Sequence, residues 1–141
     1  MQTKDRKNSS NSLCIENDIA KKVFSFTYFE RLHAQRDFNK VFKNGLRLEN
    51  KSIRILAYKR NDMLKTRRLG LVTSKKVGTA VARNRTKRRL REIFRTNKHL
   101  LESGLDLIFV SKPETSSLDY NNLRKIILNL LKSAKLYIGS E

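Results

Sequence analysis

Between Val81 and Arg95 the chain reads Val-Ala-Arg-Asn-Arg-Thr-Lys-Arg-Arg-Leu-Arg-Glu-Ile-Phe-Arg, with seven cations and one acid. Guanidinium groups carry forked N–H donors that match phosphate oxygens, so this spacing is suited to binding a polyanion. The stretch holds neither Gly nor Pro and is rich in good helix formers, which predicts a helix. At 100° per residue Thr86, Leu90, Ile93, Phe94 and Leu101 fall on one face, the side expected to be buried. Asn84, Lys87, Arg88, Arg91 and Arg95 line an adjacent stripe. A solvated helix ordinarily mixes signs; this one sets like charges across successive turns, each costing about 0.2–0.5 kcal/mol in an isolated helix. That cost points to an anionic partner. Lys75-Lys-Val-Gly-Thr79 enters the helix through a tight basic turn, where backbone N–H groups with Lys75 and Lys76 could hold phosphate.

A second set of residues offers stacking rather than charge. Arg36-Asp-Phe-Asn-Lys-Val-Phe-Lys43 puts Phe38, Val41 and Phe42 on one helical face. Val41 reads as core, while two phenylalanines at i and i+4 could form either core or a wall for an unpaired base. Groups for catalysis are sparse. The 13 acids are scattered and the two histidines, His33 and His99, stand apart, as expected of surface or capping residues. The lone Cys14 excludes an internal disulfide and any multi-cysteine zinc site.

The elements that would position these residues follow in order. Arg36–Lys43 is a helix stopped by a left-handed Asn44-Gly45 turn. Leu46–Glu49 and Ser52–Tyr58 read as strands, Lys59–Arg67 as a charged loop, and Arg68–Ser74 as a third strand. After the basic helix, Ser103-Gly104 breaks the pattern, and Leu105–Val110 is a nearly continuous apolar run, as in a strand covered on both faces. Pro113 ends it. Leu123, Ile126, Ile127, Leu130, Leu131, Ala134 and Ile138 then follow an amphipathic helical period, with Asp119 near its start. The order α-β-β-β-α-β-α predicts a two-layer α/β (α+β) sandwich of about four strands and three helices.

At 141 residues with a net charge of +19, the chain is expected to be one domain, 28–141, behind a flexible basic extension, 1–27. The charge points to nucleic acid ahead of an anionic membrane. No apolar run approaches the length of a membrane span, and the N-terminus lacks a secretory pattern, so the expectation is a cytoplasmic protein without membrane association.

Four blocks, taken together, resemble the bacterial ribonuclease P protein component: Phe38-Asn-Lys-Val-Phe-Lys-Asn-Gly45, Ser74-Lys-Lys-Val-Gly78, Arg83-Asn-Arg-Thr-Lys-Arg-Arg-Leu-Arg-Glu92, and Asp106-Leu-Ile-Phe-Val-Ser-Lys-Pro113. They stand in the family's order and spacing and cover about residues 30 to 137. The resemblance implies a fold similar to ribosomal protein S5 domain 2, with a left-handed crossover through the basic helix joining parallel strands. It implies the small basic subunit of a ribonucleoprotein that removes the 5′ leader of precursor tRNA. Its partners would be the catalytic RNA and precursor tRNA, with no stable protein partner implied. The Mg²⁺ needed for hydrolysis would be held mainly by the RNA subunit and substrate, so no residue of this chain is expected to be catalytic.

Carried over by position, Arg83, Asn84, Arg85, Lys87, Arg88 and Arg91 match the helix that contacts the catalytic RNA, and Lys75 and Lys76 match the turn beside it. Phe38 and Phe42 match the aromatic cleft for the single-stranded leader. Strict alignment puts Leu56 where a further cleft aromatic is common, with Tyr58 two residues on along the same face. Thr86 stands at a usually aliphatic position, and Lys112 where Arg is frequent. A general or ribosome-associated RNA-binding protein would share the charge and fold without needing leader-dependent affinity. A DNA-binding protein would need a dimerising element, and no heptad zipper follows Arg95.

Overall fold

The structure is a computed structural model, and it describes residues 26–139. The expected extension lies outside the described residues except for its last two, of which Phe26 packs edge-on against Phe94, ring centres 5.6 Å apart.

Among the described residues the elements are α1 (Gln35–Asn44), β1 (Leu46–Glu49), β2 (Ile53–Lys59), β3 (Arg68–Thr73), α2 (Ala80–Asn97), β4 (Leu105–Ser111) and α3 (Tyr120–Ser133). Short 3₁₀ turns at Tyr28–Glu30, Lys75–Val77, Lys98–Leu100 and Pro113–Ser117 join or precede them. The strands form one sheet ordered β1-β2-β4-β3. β1 pairs with β2 and β2 with β4 antiparallel, while β3 and β4 are parallel neighbours joined through α2. The expected order and helix count are those found.

Register decides which residues face which layer, because side chains alternate across a strand. On one face the rows Leu48–Ile55–Phe109–Leu71 and Leu46–Ala57–Leu107–Leu69 lie under α2 and α3. Leu90, Ile93 and Phe94 of α2 and Leu123, Ile127 and Leu131 of α3 close this main core. On the other face the row Arg47–Leu56–Ile108–Gly70 lies under α1. Val41, fully buried, joins Leu32, Leu56 and Ile108 in a second, smaller core. β4 is buried on both faces, as its apolar run requires.

Two expectations are corrected. Gly45 ends α1 in an extended conformation, φ −75°, not a left-handed one. A Cβ there would sit 2.5 Å from the Val41 carbonyl oxygen, so glycine is required by the close turn into β1. Ile138 is not on α3: the helix closes at Ser133 and Lys135 turns the chain at φ 62°. Tyr137 then pairs with Leu101, and the Ile138 N–H donates to the Leu100 carbonyl at 2.7 Å. The apolar period simply continues past the end of the helix. Leu101 is buried as expected, but it lies beyond the 3₁₀ turn that ends α2.

Candidate nucleic-acid interface

α2 is set by its entry turn. Gly78 adopts φ 145°, a region L side chains avoid. The Thr79 hydroxyl accepts the Ala82 N–H at 3.1 Å as an N-cap. Arg83 folds back and donates to the Gly78 carbonyl at 2.7 Å, so it braces the turn as well as carrying charge. Thr86, at the usually aliphatic position, is buried, and its hydroxyl donates to the Ala82 carbonyl at 2.9 Å. No polar atom is stranded there.

Around the helix the cations divide into two flanks. Asn84, Arg85 and Arg88 are exposed, and Lys87 and Arg91 are half-buried. Arg89 turns away and donates to the Leu118 carbonyl at 2.7 Å, tying α2 to the segment before α3. Arg95 pairs with Glu92 one turn back, which lowers the glutamate and raises the arginine pKa, in each case chiefly through their shared hydrogen bond. Lys75 and Lys76 are exposed at the end of β3, continuous with the start of α2.

α1 crosses the opposite sheet face, and its flanks open differently. Phe38 packs directly over Gly70, whose absent side chain leaves room for the ring; a Cβ there would lie 2.7 Å from two ring carbons. A groove of about 250 Å³ runs beside it, lined by Phe26, Arg31, His33, Phe38, Gly70 and Arg91, among others. It brings Arg91 of the basic stripe and Phe38 of the aromatic face to one place. Phe42 is 48% exposed. The row Arg54–Val110–Val72 next to the covered one is half-buried, which leaves a strip of sheet accessible beside α1.

Leu56 is buried under α1, so it offers no ring-sized face to a ligand. Tyr58, one row further on, is half-buried and belongs to the same small core as Phe38, but it opens into a separate polar hollow with Arg36, Lys40 and Arg60. The structure therefore joins Phe38 with Arg91 and sets Tyr58 on the far flank of α1.

The hollow on that flank rests on a charge cluster absent from the sequence reading. Asp106, 2% exposed, accepts Arg60 at 2.7 Å and both forks of Arg68 at 2.8 and 2.7 Å. Arg68 reaches on to Asp37 of α1 at 3.3 Å, and its pKa is raised chiefly by the Asp106 hydrogen bond. Through Asp37, Arg68 ties the first turn of α1 to the sheet, while Arg60 fastens the Leu64 and Thr66 carbonyls of the preceding loop to Asp106. At the other end, Glu49 gathers Arg47, Arg54 and Lys112, with Lys112 also donating to the Asn50 carbonyl at 2.6 Å. Those partners, Lys112 first, hold the Glu49 carboxyl at about 2.

Oxygen ligands for a metal ion do not converge. Among the described residues no three His, Cys, Asp or Glu side chains group together, and Asp37, Asp106, Glu49 and Glu92 are each occupied by arginine or lysine. Nor is any helix among them long and apolar enough to cross a membrane.

The family model named Ribonuclease P matches residues 26–135. The ribonuclease P protein component of Thermotoga maritima is 40% identical over 112 residues, 77% of this chain and 94% of the relative. That of Clostridium novyi is 33% identical over 108 residues, covering 77% and 96%. Among solved structures, the Thermotoga maritima RNase P protein is 39% identical with a TM-score of 0.65, covering 74% of this chain and 96% of that one. The Staphylococcus aureus RNase P protein is 27% identical with a TM-score of 0.69, covering 77% and 97%.

Proposed function

The chain belongs to the bacterial ribonuclease P protein component family, and on that premise we propose that it binds the catalytic RNA and the 5′ leader of precursor tRNA at once. The observation that carries this reading is the shared groove: Phe38 of α1 and Arg91 of α2 line one concavity. A polyanion held along α2 therefore lies beside a surface suited to unpaired bases.

In this reading Arg85, Arg88 and Asn84 meet the catalytic RNA from the exposed side of α2, with Lys87 and Arg91 at its edge and Lys75 and Lys76 extending the contact. Arg83 contributes charge while its guanidinium braces the entry turn. Phe38 and Phe42 take the leader, with the strip Arg54, Val110 and Val72 as its floor. Tyr58 is the ring of β2 that solvent reaches, and it borders the leader path from the other flank of α1. Stacking of this kind is sequence-tolerant, because every base has a π-face. A subunit that serves many precursors needs that tolerance.

Hydrolysis of the leader requires Mg²⁺ to activate water and stabilise the leaving oxygen. Among the described residues Asp37, Asp106, Glu49 and Glu92 are engaged by arginine or lysine, which supports a reading in which the RNA subunit and substrate hold the metal. The protein's share is electrostatic: cations between two polyanions lower their repulsion and let precursor and catalytic RNA approach.

The test is the affinity of the reconstituted ribonucleoprotein for precursor and for mature tRNA, which lacks the leader. Phe38→Ala and Phe42→Ala are each expected to weaken precursor binding by about 1–3 kcal/mol and leave mature tRNA unaffected. Equal losses on both would remove the leader from this cleft.

A further inference from the structure

The groove does not end at Phe38. His33 lines it, and Tyr28 stacks on His33 with ring centres 4.0 Å apart and planes 21° apart. The His33 Nε2–H donates to the Tyr28 carbonyl at 2.9 Å, which fixes the imidazole plane. Phe29 stands edge-on to Tyr28 at 5.7 Å. These rings are not packed into either core: Tyr28 is 67% exposed and Phe29 76%. Leaving two large rings in water forgoes the favourable burial of their apolar surface. A protein surface ordinarily covers such a cluster or uses it.

The segment carrying the rings is nonetheless held firmly. Glu30 pairs with the buried Lys98 at the end of α2 and accepts the Thr27 N–H. Arg31 bridges to Leu69 at the β3 edge, and the Leu32 N–H donates to the Leu69 carbonyl at 3.0 Å. The rings are therefore presented by a braced backbone, in the geometry of a preformed platform.

Charge selects the partner. Arg31 lies over the Phe26 ring at 4.7 Å, and Arg91 lines the same groove. Among the described residues the neighbouring carboxylates are neutralised: Glu30 by Lys98, Asp37 by Arg68 and Asp62 by Arg60. Flat exposed rings among unopposed cations suit unpaired nucleotides, whose bases stack while their phosphates meet the arginines.

We propose that Tyr28 and His33 form a second single-strand platform that holds leader nucleotides beyond those in the Phe38–Phe42 cleft. This rests on the leader-binding reading of that cleft. The path runs along Phe42 and Phe38, over the β3 edge at Gly70, and onto the stacked pair. Leader length then sets affinity in two stages, the first at the cleft and the second at the platform.

The experiment measures binding of the reconstituted ribonucleoprotein to precursor tRNAs whose leaders are lengthened one nucleotide at a time. Wild type is expected to gain affinity in two steps. Tyr28→Ala with His33→Ala should abolish the second step, about tenfold, while short-leader precursors and mature tRNA bind as before. Tyr28→Trp should keep it, since stacking needs only the ring. A second step that survives in the double alanine variant overturns the platform and leaves the surface to another partner, such as a protein. Equal losses at every leader length also overturn it, by assigning the rings to folding or to the catalytic RNA. If wild type shows no dependence on leader length at all, the cleft reading itself has failed.

Discussion

Gly70→Ala isolates the contribution of one ring. Gly70 lies in the middle of β3 on the face beneath α1, and an added Cβ would sit 2.7 Å from Phe38 Cε1 and Cζ and 3.1 Å from Leu32 Cδ1. Carbon atoms rest at about 3.5–4.0 Å, so the ring must move out by roughly 1 Å or tilt. Overpacking of this kind costs about 1–3 kcal/mol of stability. The larger consequence is positional, because Phe38 is displaced without being removed and α2 is untouched. If Phe38 stacks on the leader, Gly70→Ala should weaken precursor binding by up to the ~1–3 kcal/mol of a lost stack. Mature tRNA affinity and the affinity for the catalytic RNA should be unchanged. The decisive comparison is a double-mutant cycle with Phe38→Ala, measured by titration of labelled precursor at fixed salt. In the Phe38→Ala background the extra methyl meets no ring, so Gly70→Ala should add nothing further to the leader defect. Fully additive losses would refute the argument, since the glycine would then act on binding by a route other than Phe38.

Other perturbations test other parts of the structure. Asp106→Asn leaves the Arg60 and Arg68 guanidiniums without their shared carboxylate and should cost about 3–5 kcal/mol in urea denaturation; a loss below ~1 kcal/mol would contradict the anchoring role. The Glu49 carboxyl is held at about 2 against an ordinary 4.5. Its ion pairs therefore add stability above about 4.5, and that contribution is lost as pH falls toward 2. Glu49→Gln should flatten the acid limb of the stability curve in that window, and an unchanged limb would exclude Glu49 as its source. If six cations of α2 and its entry turn meet phosphates, log K for RNA binding should fall with log salt at a slope of about −4 to −5. Arg88→Ala, on the exposed stripe, should reduce that slope by nearly one with no change in melting temperature.

Much of this fold was legible because strong local signals agree with the tertiary arrangement. Leu46–Glu49 appears at the expected bounds, and the doubly covered β4 follows from its apolar run. The buried side of α2 could be read from periodicity because Leu90, Ile93 and Phe94 meet a single sheet face. Failures came where distant contacts decide. Gly45 is explained by the Val41 carbonyl and β2, and left-handed backbone plays no part. Asp106 sits inside an apolar run and looks incidental until Arg60 and Arg68, 46 and 38 residues away in sequence, close on it. The Tyr28–His33 stack gave no pattern at all, since two rings five positions apart, outside any α-helix or strand, carry no period. The basic half of the candidate site is a local sequence property. The aromatic half depends on how α1 lies across β3, so only the residues, and not their grouping with Arg91, could be named beforehand.

The most direct test of the account is cleavage of a precursor tRNA at low Mg²⁺ by the ribonuclease P RNA of the same organism, alone and with this protein. The expected result is cleavage at the mature 5′ end that requires the protein under those conditions and weakens as the leader is shortened. A protein that binds the RNA yet leaves cleavage unchanged at every leader length would contradict it.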